Sequence, residues 1–379
     1  MADYKIFSAD SHVSEPGDLW LQRIDKEFQF RAPRLEQREL NGKMEDVWLY
    51  EGFPPHRVGV GLGAAGKTAG VAFREQGKGY ADALPGGWDP AERLKDQDID
   101  GVEGEVIHTT LGFRLFWLQD PKLQRACFRT YNDWLSEYTS YSRQRLVGVP
   151  LISLYDVGEA VAELRRAQRI GLHGAMIWLS PPASCPPYTS TVYDPFWAAA
   201  EEMDMPVVLH TITGGAESRL SQSSYWDENN SLGTIVGPHE AQRSLGQLIL
   251  SGVLERFPTL KVQSAENGTD WVPWFVGRLK RAARRAGSFP TKLSLTPLEY
   301  FHRQVYFSYI DEPEAVEHRD LIGGDHLMFA TDYPHTASTW PKSKEIVERD
   351  TASMPAEVRR KLVHDNVLKV FDIPAPVLV

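Results

Sequence analysis

Four residues far apart in the chain, Asp10, His12, His210 and Asp332, are of the types that hold a divalent cation, and each stands where a short apolar run ends. Asp10 and His12 close the run Tyr4-Lys5-Ile6-Phe7-Ser8, which reads as a buried strand. Residues two apart in a strand point the same way, so a carboxylate and an imidazole are presented side by side. Such oxygen and nitrogen donors suit Zn²⁺, Mn²⁺ or Fe²⁺. Two imidazoles and two carboxylates can hold one ion with a position open for water. Bound metal can lower the pKa of that water to about 7 and make a nucleophile at neutral pH. Other run ends add His108, Trp178, Glu266 and Ser308, and Tyr333, Pro334 and His335 come directly after Asp332. Taken singly, a strand-end histidine is more often a hydrogen-bonded structural residue, and Asp332 before Tyr-Pro is a turn cap. The joint occurrence carries the metal reading.

The elements that must gather these residues are set by periodicity. Behind Pro16 the opening strand gives way to an irregular excursion over residues 17–90, with Pro33, Pro54-Pro55, Pro85 and many glycines. Long excursions of this kind are usually functional, for example as lids. From Asp89 the pattern becomes regular, with a short helix over 91–98 behind an Asp cap. Strands are expected over 102–108, 146–152, 174–179, 206–210, 260–266, 305–308 and 326–332. Between or after them, helices are expected over 121–145, 156–170, 193–204, 237–256, 270–286, 312–322, 342–349 and 355–371. Gly171 ends the second of these. Eight strands, nearly all separated by helices, read as a parallel (β/α)₈ barrel. A doubly wound open sheet is the rival, but it would gather ligands at a single switch point. Polar residues at the ends of strands one, five, six and eight fit a barrel mouth better, because chemistry sits at the C-terminal ends of barrel strands.

Composition narrows the class. A chain of 379 residues with 42% hydrophobic content can bury a large core, and we expect one domain over 1–379 with the excursion inside it. A formal charge of −10 argues against nucleic-acid binding, since phosphate would be repelled. Cys127 and Cys185 are too few for a disulfide framework or a cysteine-based zinc site. The first residues lack the features of a signal peptide, and no apolar run approaches the ~20 residues of a membrane span. A soluble, cytoplasmic protein without a membrane partner is the expectation.

One motif is a decoy. Gly61-Leu62-Gly63-Ala64-Ala65-Gly66-Lys67-Thr68 matches the phosphate-loop pattern G-x-x-x-x-G-K-[ST]. That loop needs a buried strand before it and a robust helix after it. Here Gly59 breaks the run on its N-terminal side, and Gly70, Gly77 and Gly79 punctuate any helix on its C-terminal side. A glycine-rich lid is the better reading.

The stretches Asp10-Ser11-His12-Val13-Ser14-Glu15-Pro16, Met205-Pro206-Val207-Val208-Leu209-His210 and Ala330-Thr331-Asp332-Tyr333-Pro334-His335 resemble the amidohydrolase-related family. This branch of the amidohydrolase superfamily includes aminocarboxymuconate-semialdehyde and γ-resorcylate decarboxylases. Tyr193-Asp194-Pro195-Phe196-Trp197, Ser251-Gly252-Val253-Leu254-Glu255-Arg256-Phe257-Pro258 and His364-Asp365-Asn366-Val367 resemble further landmarks. The resemblance implies a distorted TIM barrel with Asp10, His12, His210 and Asp332 as ligands, and a homodimer or higher homo-oligomer. Two departures stand out. Asp10-x-His12 replaces the commoner His-x-His or Glu-x-His, and Glu266-Asn267-Gly268 stands where many members carry a histidine after strand six. Glu266 is therefore expected to handle protons or to ligate a second ion, and His239 is a further proton-transfer candidate.

Between reactions the sequence decides little. The first reading is a hydrolase, in which metal-activated water attacks an ester, amide, lactone or carbon–carbon bond, with Asp332 or Glu266 taking the proton. The alternative is non-oxidative decarboxylation of an aromatic or unsaturated carboxylate, and a non-catalytic metal-binding scaffold comes third. Loss of the strand-six histidine tilts the choice towards hydrolysis. Zinc is the first expectation for the single divalent cation, manganese or iron the next, with a second ion left open. His108, Trp178, Tyr333 and His335 are expected to line a pocket for a small ring or planar acid. The run Trp271-Val272-Pro273-Trp274-Phe275 is expected to pack a helix against the barrel or a second subunit.

Overall fold

The computed structural model describes residues 4–40, 42–58, 65–66, 80, 83–215, 236–285 and 291–374. Eight parallel strands form the centre: β1 (Ile6–His12), β5 (Val102–His108), β6 (Leu146–Gly148), β7 (Ala175–Ile177), β8 (Val207–His210), β9 (Val262–Ala265), β10 (Val305–Tyr309) and β11 (Leu327–Phe329). Regular ladders join β1 to β5 and β5 to β6, and run without a break from β7 through β11. The remaining two joins are looser. Pro150, which has no amide hydrogen, comes just after β6, and only the stretch Pro150–Ile152 meets Met176, through N–H···O bonds of 2.9 Å in each direction. The ring closes between β11 and β1, where Asp332 N donates to the Asp10 carbonyl at 2.9 Å and His12 N to the Tyr333 carbonyl at 2.6 Å. The chain has the fold of a distorted TIM barrel, in line with the eight runs read from the sequence.

Strand interiors are mostly apolar, with Phe7, Ile107, Met176, Val208, Val262 and Phe307 at 0% exposure, although Glu105 and Gln263 are buried there as well. Polar groups therefore collect where the strands leave this core. A bulge shapes the first of those exits. Ser8 pairs with Glu105 and Ser11 with Ile107, so three steps on β1 match two on β5. Such an extra residue bends a strand and re-aims its side chains.

The outer helices start as the sequence predicts. In α2 (Pro90–Asp100) the Asp89 carboxylate accepts from the amides of Ala91 and Glu92, and Pro90 occupies the first turn. Helices α3 (Pro121–Thr139), α4 (Val157–Arg169) and α5 (Asp194–Glu202) come next, and Gly171 at φ +85° terminates α4. The expected long helix over 237–256 is instead two, α6 (Pro238–Leu250) and α7 (Val253–Arg256), because Gly252 adopts φ +81° between them. Likewise the last expected helix is broken into Ala356–Arg360, a wide turn at Lys361–Asp365, and Asn366–Val370.

The excursion is more ordered than its composition suggests. It holds a short helix, α1 (Leu19–Arg23), and an antiparallel hairpin of β2 (Arg34–Leu40) and β3 (Lys43–Leu49), flanked by β4 (His56–Arg57). Of the glycine-rich motif only Ala65 and Gly66 fall within the described residues. Ala65 N donates to the Pro334 carbonyl at 3.1 Å, so the excursion returns to the barrel mouth. Among the described residues no helix is long and apolar enough to cross a membrane.

Candidate metal centre

At the C-terminal end of β1, Asp10 and His12 are both buried. His12 Nδ1 lies 2.8 Å from the Thr109 carbonyl. A carbonyl can only accept, so Nδ1 carries the hydrogen and the Nε2 lone pair faces the barrel axis. His210, at the end of β8, repeats the device with Nδ1 3.0 Å from the Thr211 carbonyl. Asp332, three residues past β11, has φ +53°, and Glu266, the first residue past β9, has φ +50°. Non-glycine residues in this left-handed region are strained, and such strain concentrates at functional sites.

These groups converge. His12 Nε2 is 3.4 Å from Asp10 Oδ1 and 3.1 Å from Asp332 Oδ1. His210 Nε2 is 3.5 Å from Asp10 Oδ1 and 3.5 Å from Glu266 Oε2, and His108 Nε2 is 3.5 Å from Asp10 Oδ1. Asp10, His12 and His210 form one cluster of donor atoms within 4.8 Å of one another. His12, Glu266, Asp332 and His335 form a second that shares His12. His335 Nδ1 sits 2.8 Å from Asp332 Oδ1 and its Nε2 2.9 Å from Thr110 Oγ1, while its ring stacks on His12 at 3.9 Å. Ser308 donates to Asp10 Oδ2 at 3.3 Å.

Whether a cation fits can be judged from the atoms left without partners. Asp10 Oδ1, His12 Nε2, His210 Nε2 and both Asp332 carboxylate oxygens are buried and make no hydrogen bond among the described residues. Buried polar groups left in this state are costly, and here they cluster on one small volume. The separations His12–Asp332, His12–Asp10 and His210–Asp10, 3.1–3.5 Å, are close to the about 3.0–3.4 Å between two donors sharing an ion at about 2.1 Å. The electrostatics agree. Burial pushes Asp10 up, yet the imidazoles of His108 and His210 outweigh it and hold its carboxyl well below the usual range. For His12, burial favours the neutral ring, but Asp10 and Asp332 drive it well above an ordinary histidine. Glu266 goes the other way, raised first by burial and then by the charge of Asp332. The residues present fit a divalent cation.

The profile of the amidohydrolase family matches residues 48–373, most of the chain. The protein belongs to the amidohydrolase family. It is thus an enzyme of the amidohydrolase superfamily, a hydrolase or a carboxy-lyase. A 2-amino-3-carboxymuconate-6-semialdehyde decarboxylase of Dictyostelium discoideum is 24% identical over 262 residues, covering 68% of this chain and 70% of that protein. Among solved structures, an amidohydrolase from Mycobacterium avium subsp. paratuberculosis aligns with a TM-score of 0.78 at 23% identity, over 98% of this chain and 100% of the other. A dihydroxybenzoic acid decarboxylase from Polaromonas sp., holding manganese and 2-nitroresorcinol, aligns with a TM-score of 0.66 at 16% identity, over 98% of both chains.

Within this amidohydrolase, the residues singled out from sequence separate into two groups. Asp10, His12, His108, His210, Glu266, Asp332 and His335 lie together at the mouth. Three others do not join them. The hydroxyl of Tyr333 bonds the Asp96 carboxylate, its ring lies under the Arg93 guanidinium at 4.4 Å, and Trp340 meets it edge-on. Its hydroxyl and ring are thus engaged with Asp96, Arg93 and Trp340 rather than with the cluster. Trp178 is buried, donating to the Phe116 carbonyl at 3.0 Å and meeting Tyr155 edge-on. It fastens the 111–117 segment to the barrel. His239 lies in the first turn of α6 and is in neither donor cluster among the described residues.

Two participants escaped sequence reading. The Phe113 ring lies 4.5 Å from His210 and 5.5 Å from His12, forming an apolar wall beside both imidazoles. Glu15 is fully buried, and its carboxylate accepts from the amides of Thr110, Leu111 and Gly112 and from the Thr109 hydroxyl. It thereby fixes the turn that supplies both the His12 acceptor and Phe113. A loop phenylalanine carries no signal that sets it apart from core. Glu15 could have been found as an acid directly behind a ligand strand.

Proposed function

We propose that this amidohydrolase is a metal-dependent, non-oxidative decarboxylase of a small aromatic or unsaturated carboxylic acid. The observation that carries the reading is the set of unpartnered buried donors on Asp10, His12, His210 and Asp332 beside the Phe113 ring. Similarity to decarboxylases acting on a muconate semialdehyde and on a dihydroxybenzoic acid supports this chemistry over hydrolysis. The hydrolytic reading favoured from sequence has support only from the superfamily as a whole.

Asp10, His12, His210 and Asp332 would hold the cation, with zinc, manganese and iron all suited to mixed nitrogen and oxygen donors; manganese is the ion in the Polaromonas structure. When bound, it supplies Lewis acidity that draws a carboxylate and a neighbouring oxygen into place. Loss of CO₂ breaks the bond between the substrate carbon and its carboxyl carbon. The electron pair stays on the carbon, which must receive one proton. Glu266, whose carboxyl is pushed well above the usual range by burial and by the charge of Asp332, would deliver it and recover one from solvent. Phe113 excludes water from the imidazole side of the pocket. His108, kept neutral by burial with its pKa down to about 3, and His335 orient the substrate. His239 is retained only as an outer proton-transfer candidate. We further propose that the enzyme works as a homo-oligomer, which sedimentation of the intact chain tests.

The deciding experiment incubates the manganese-loaded protein with phenolic and unsaturated acids in D₂O or H₂¹⁸O. Release of CO₂, with one solvent deuteron on the vacated carbon and no ¹⁸O in the organic product, is the expected result. Solvent ¹⁸O in the organic product without CO₂ release would restore the hydrolase reading.

A further inference from the structure

Beneath the metal centre lies a buried ion pair that the reaction itself does not use. Arg93, projecting from α2, and Glu105, in β5, are both buried, with Arg93 Nε 2.5 Å from Glu105 Oε2. A buried pair of this kind is weak evidence for stability, because desolvation offsets the attraction. Its other contacts are more informative. Arg93 donates to the carbonyls of His12 at 2.7 Å, Gly86 at 3.3 Å and Tyr333 at 3.4 Å. Glu105 Oε1 accepts from Ser11 Oγ at 3.2 Å and Thr331 Oγ1 at 3.4 Å, and Oε2 also accepts from Gln97 at 2.8 Å.

Every one of these anchor points except Gly86 and Gln97 adjoins or belongs to the ligand set. Ser11 lies between Asp10 and His12, the His12 carbonyl belongs to a ligand itself, and Thr331 and Tyr333 flank Asp332. They also straddle the closure of the barrel, where two backbone bonds hold β11 to β1 and where Asp332 sits at φ +53°. A guanidinium offers five donors in a fixed fork, which suits it to bridging several carbonyls and a carboxylate at once.

We infer that Arg93 and Glu105 are positioning residues for the cation site, clamping the two ligand-bearing strand ends in register so that Asp10, His12 and Asp332 meet on one point. This rests on the metal reading above. It also gives Tyr333 its role: the ring covers the Arg93 guanidinium and helps to keep water off the clamp.

The test titrates Mn²⁺ calorimetrically into the full-length parent, into Arg93→Lys, and into the double variant Arg93→Met/Glu105→Met, with melting of the cation-free proteins alongside. Arg93→Lys keeps the charge but loses the fork, and the expected loss of Mn²⁺ affinity is about 10- to 100-fold, as for partners that orient ligands elsewhere. The double variant removes both charges, so its cation-free melting temperature is expected near the parent's while its Mn²⁺ affinity stays at least about tenfold down. Parent-like Mn²⁺ binding by either folded variant overturns the inference. Failure of both variants to fold also overturns it, since the pair would then serve the fold as a whole. Failure of the parent itself to bind Mn²⁺ strikes the metal reading first, and the inference falls with it.

Discussion

Strands β1 and β5 run side by side, and their two ends treat charge in opposite ways. At the N-terminal end Lys5 lies 2.5 Å from Glu103, which also meets His364 at 2.9 Å, and every one of these groups has a partner. At the C-terminal end Asp10 Oδ1 lies 3.4 Å from His12 Nε2 and 3.5 Å from His108 Nε2, three buried atoms that make no hydrogen bond among the described residues. One end is arranged for stability, the other against it. A protein holds unsatisfied polar atoms only where something else supplies the missing interaction, and the placement of barrel chemistry at the C-terminal face obeys the same division.

Substitutions at the two ends should therefore have opposite effects. The largest is expected for Asp332→Asn or His12→Ala: kcat/KM should fall on the order of a thousandfold, beyond the 10- to 100-fold typical of groups behind the ligands. The cation-free Asp332→Asn protein should melt no lower than the parent, since a buried charge has been removed. A thermal melt well below the parent's, with activity largely kept, would reverse the contrast.

Glu266→Gln comes next. Loss of the transferable proton should lower kcat by about 10²- to 10⁴-fold while leaving the metal content alone, and a parent-like kcat would remove Glu266 from the chemistry. For Phe113→Leu the volume is nearly kept and the aromatic face lost. KM for an aromatic acid should rise about two- to tenfold, the scale of one ring–ring contact, with melting little changed; an unaltered KM would leave Phe113 as packing only.

The smallest effect belongs to the other end. In Glu103 burial works to raise the carboxyl, but Lys5 and His364 outweigh it and leave its pKa below the usual 4.5. A depressed folded-state pKa contributes stability at neutral pH that is lost as pH falls through that pKa. Because Lys5 is well exposed, Glu103→Gln should cost about 0.5–1 kcal/mol at pH 7 and converge with the parent in acid below about pH 4. Denaturant melts across pH check this, and a variant that also loses Mn²⁺ binding would contradict the separation of roles.

The same contrast explains what could be read from the residues alone. The candidate donors were legible because Asp10, His12, His210 and Asp332 recur at the exits of apolar strands, although any one of them alone reads as structural. The contact of Tyr333 with Asp96 was not legible, because adjacency to Asp332 in the chain says nothing about where the side chain goes. The β2–β3 hairpin was missed although Asn41-Gly42 between its strands is a strong hairpin signal, because those strands are charged and read as irregular. Phe113 and the Arg93–Glu105 pair depend on tertiary neighbours far away in the chain, as the Arg93 bonds to His12 and Tyr333 show, and no local pattern encodes them.

Metal analysis by mass spectrometry bears most directly on the centre itself: the parent and Asp10→Ala/Asp332→Ala, each equilibrated with Mn²⁺ or Zn²⁺ and then freed of excess ion. About one divalent ion per chain in the parent, and essentially none in the double variant, is the expected result. An ion-free parent, or a double variant that keeps its ion, would contradict a cation held by these strand ends.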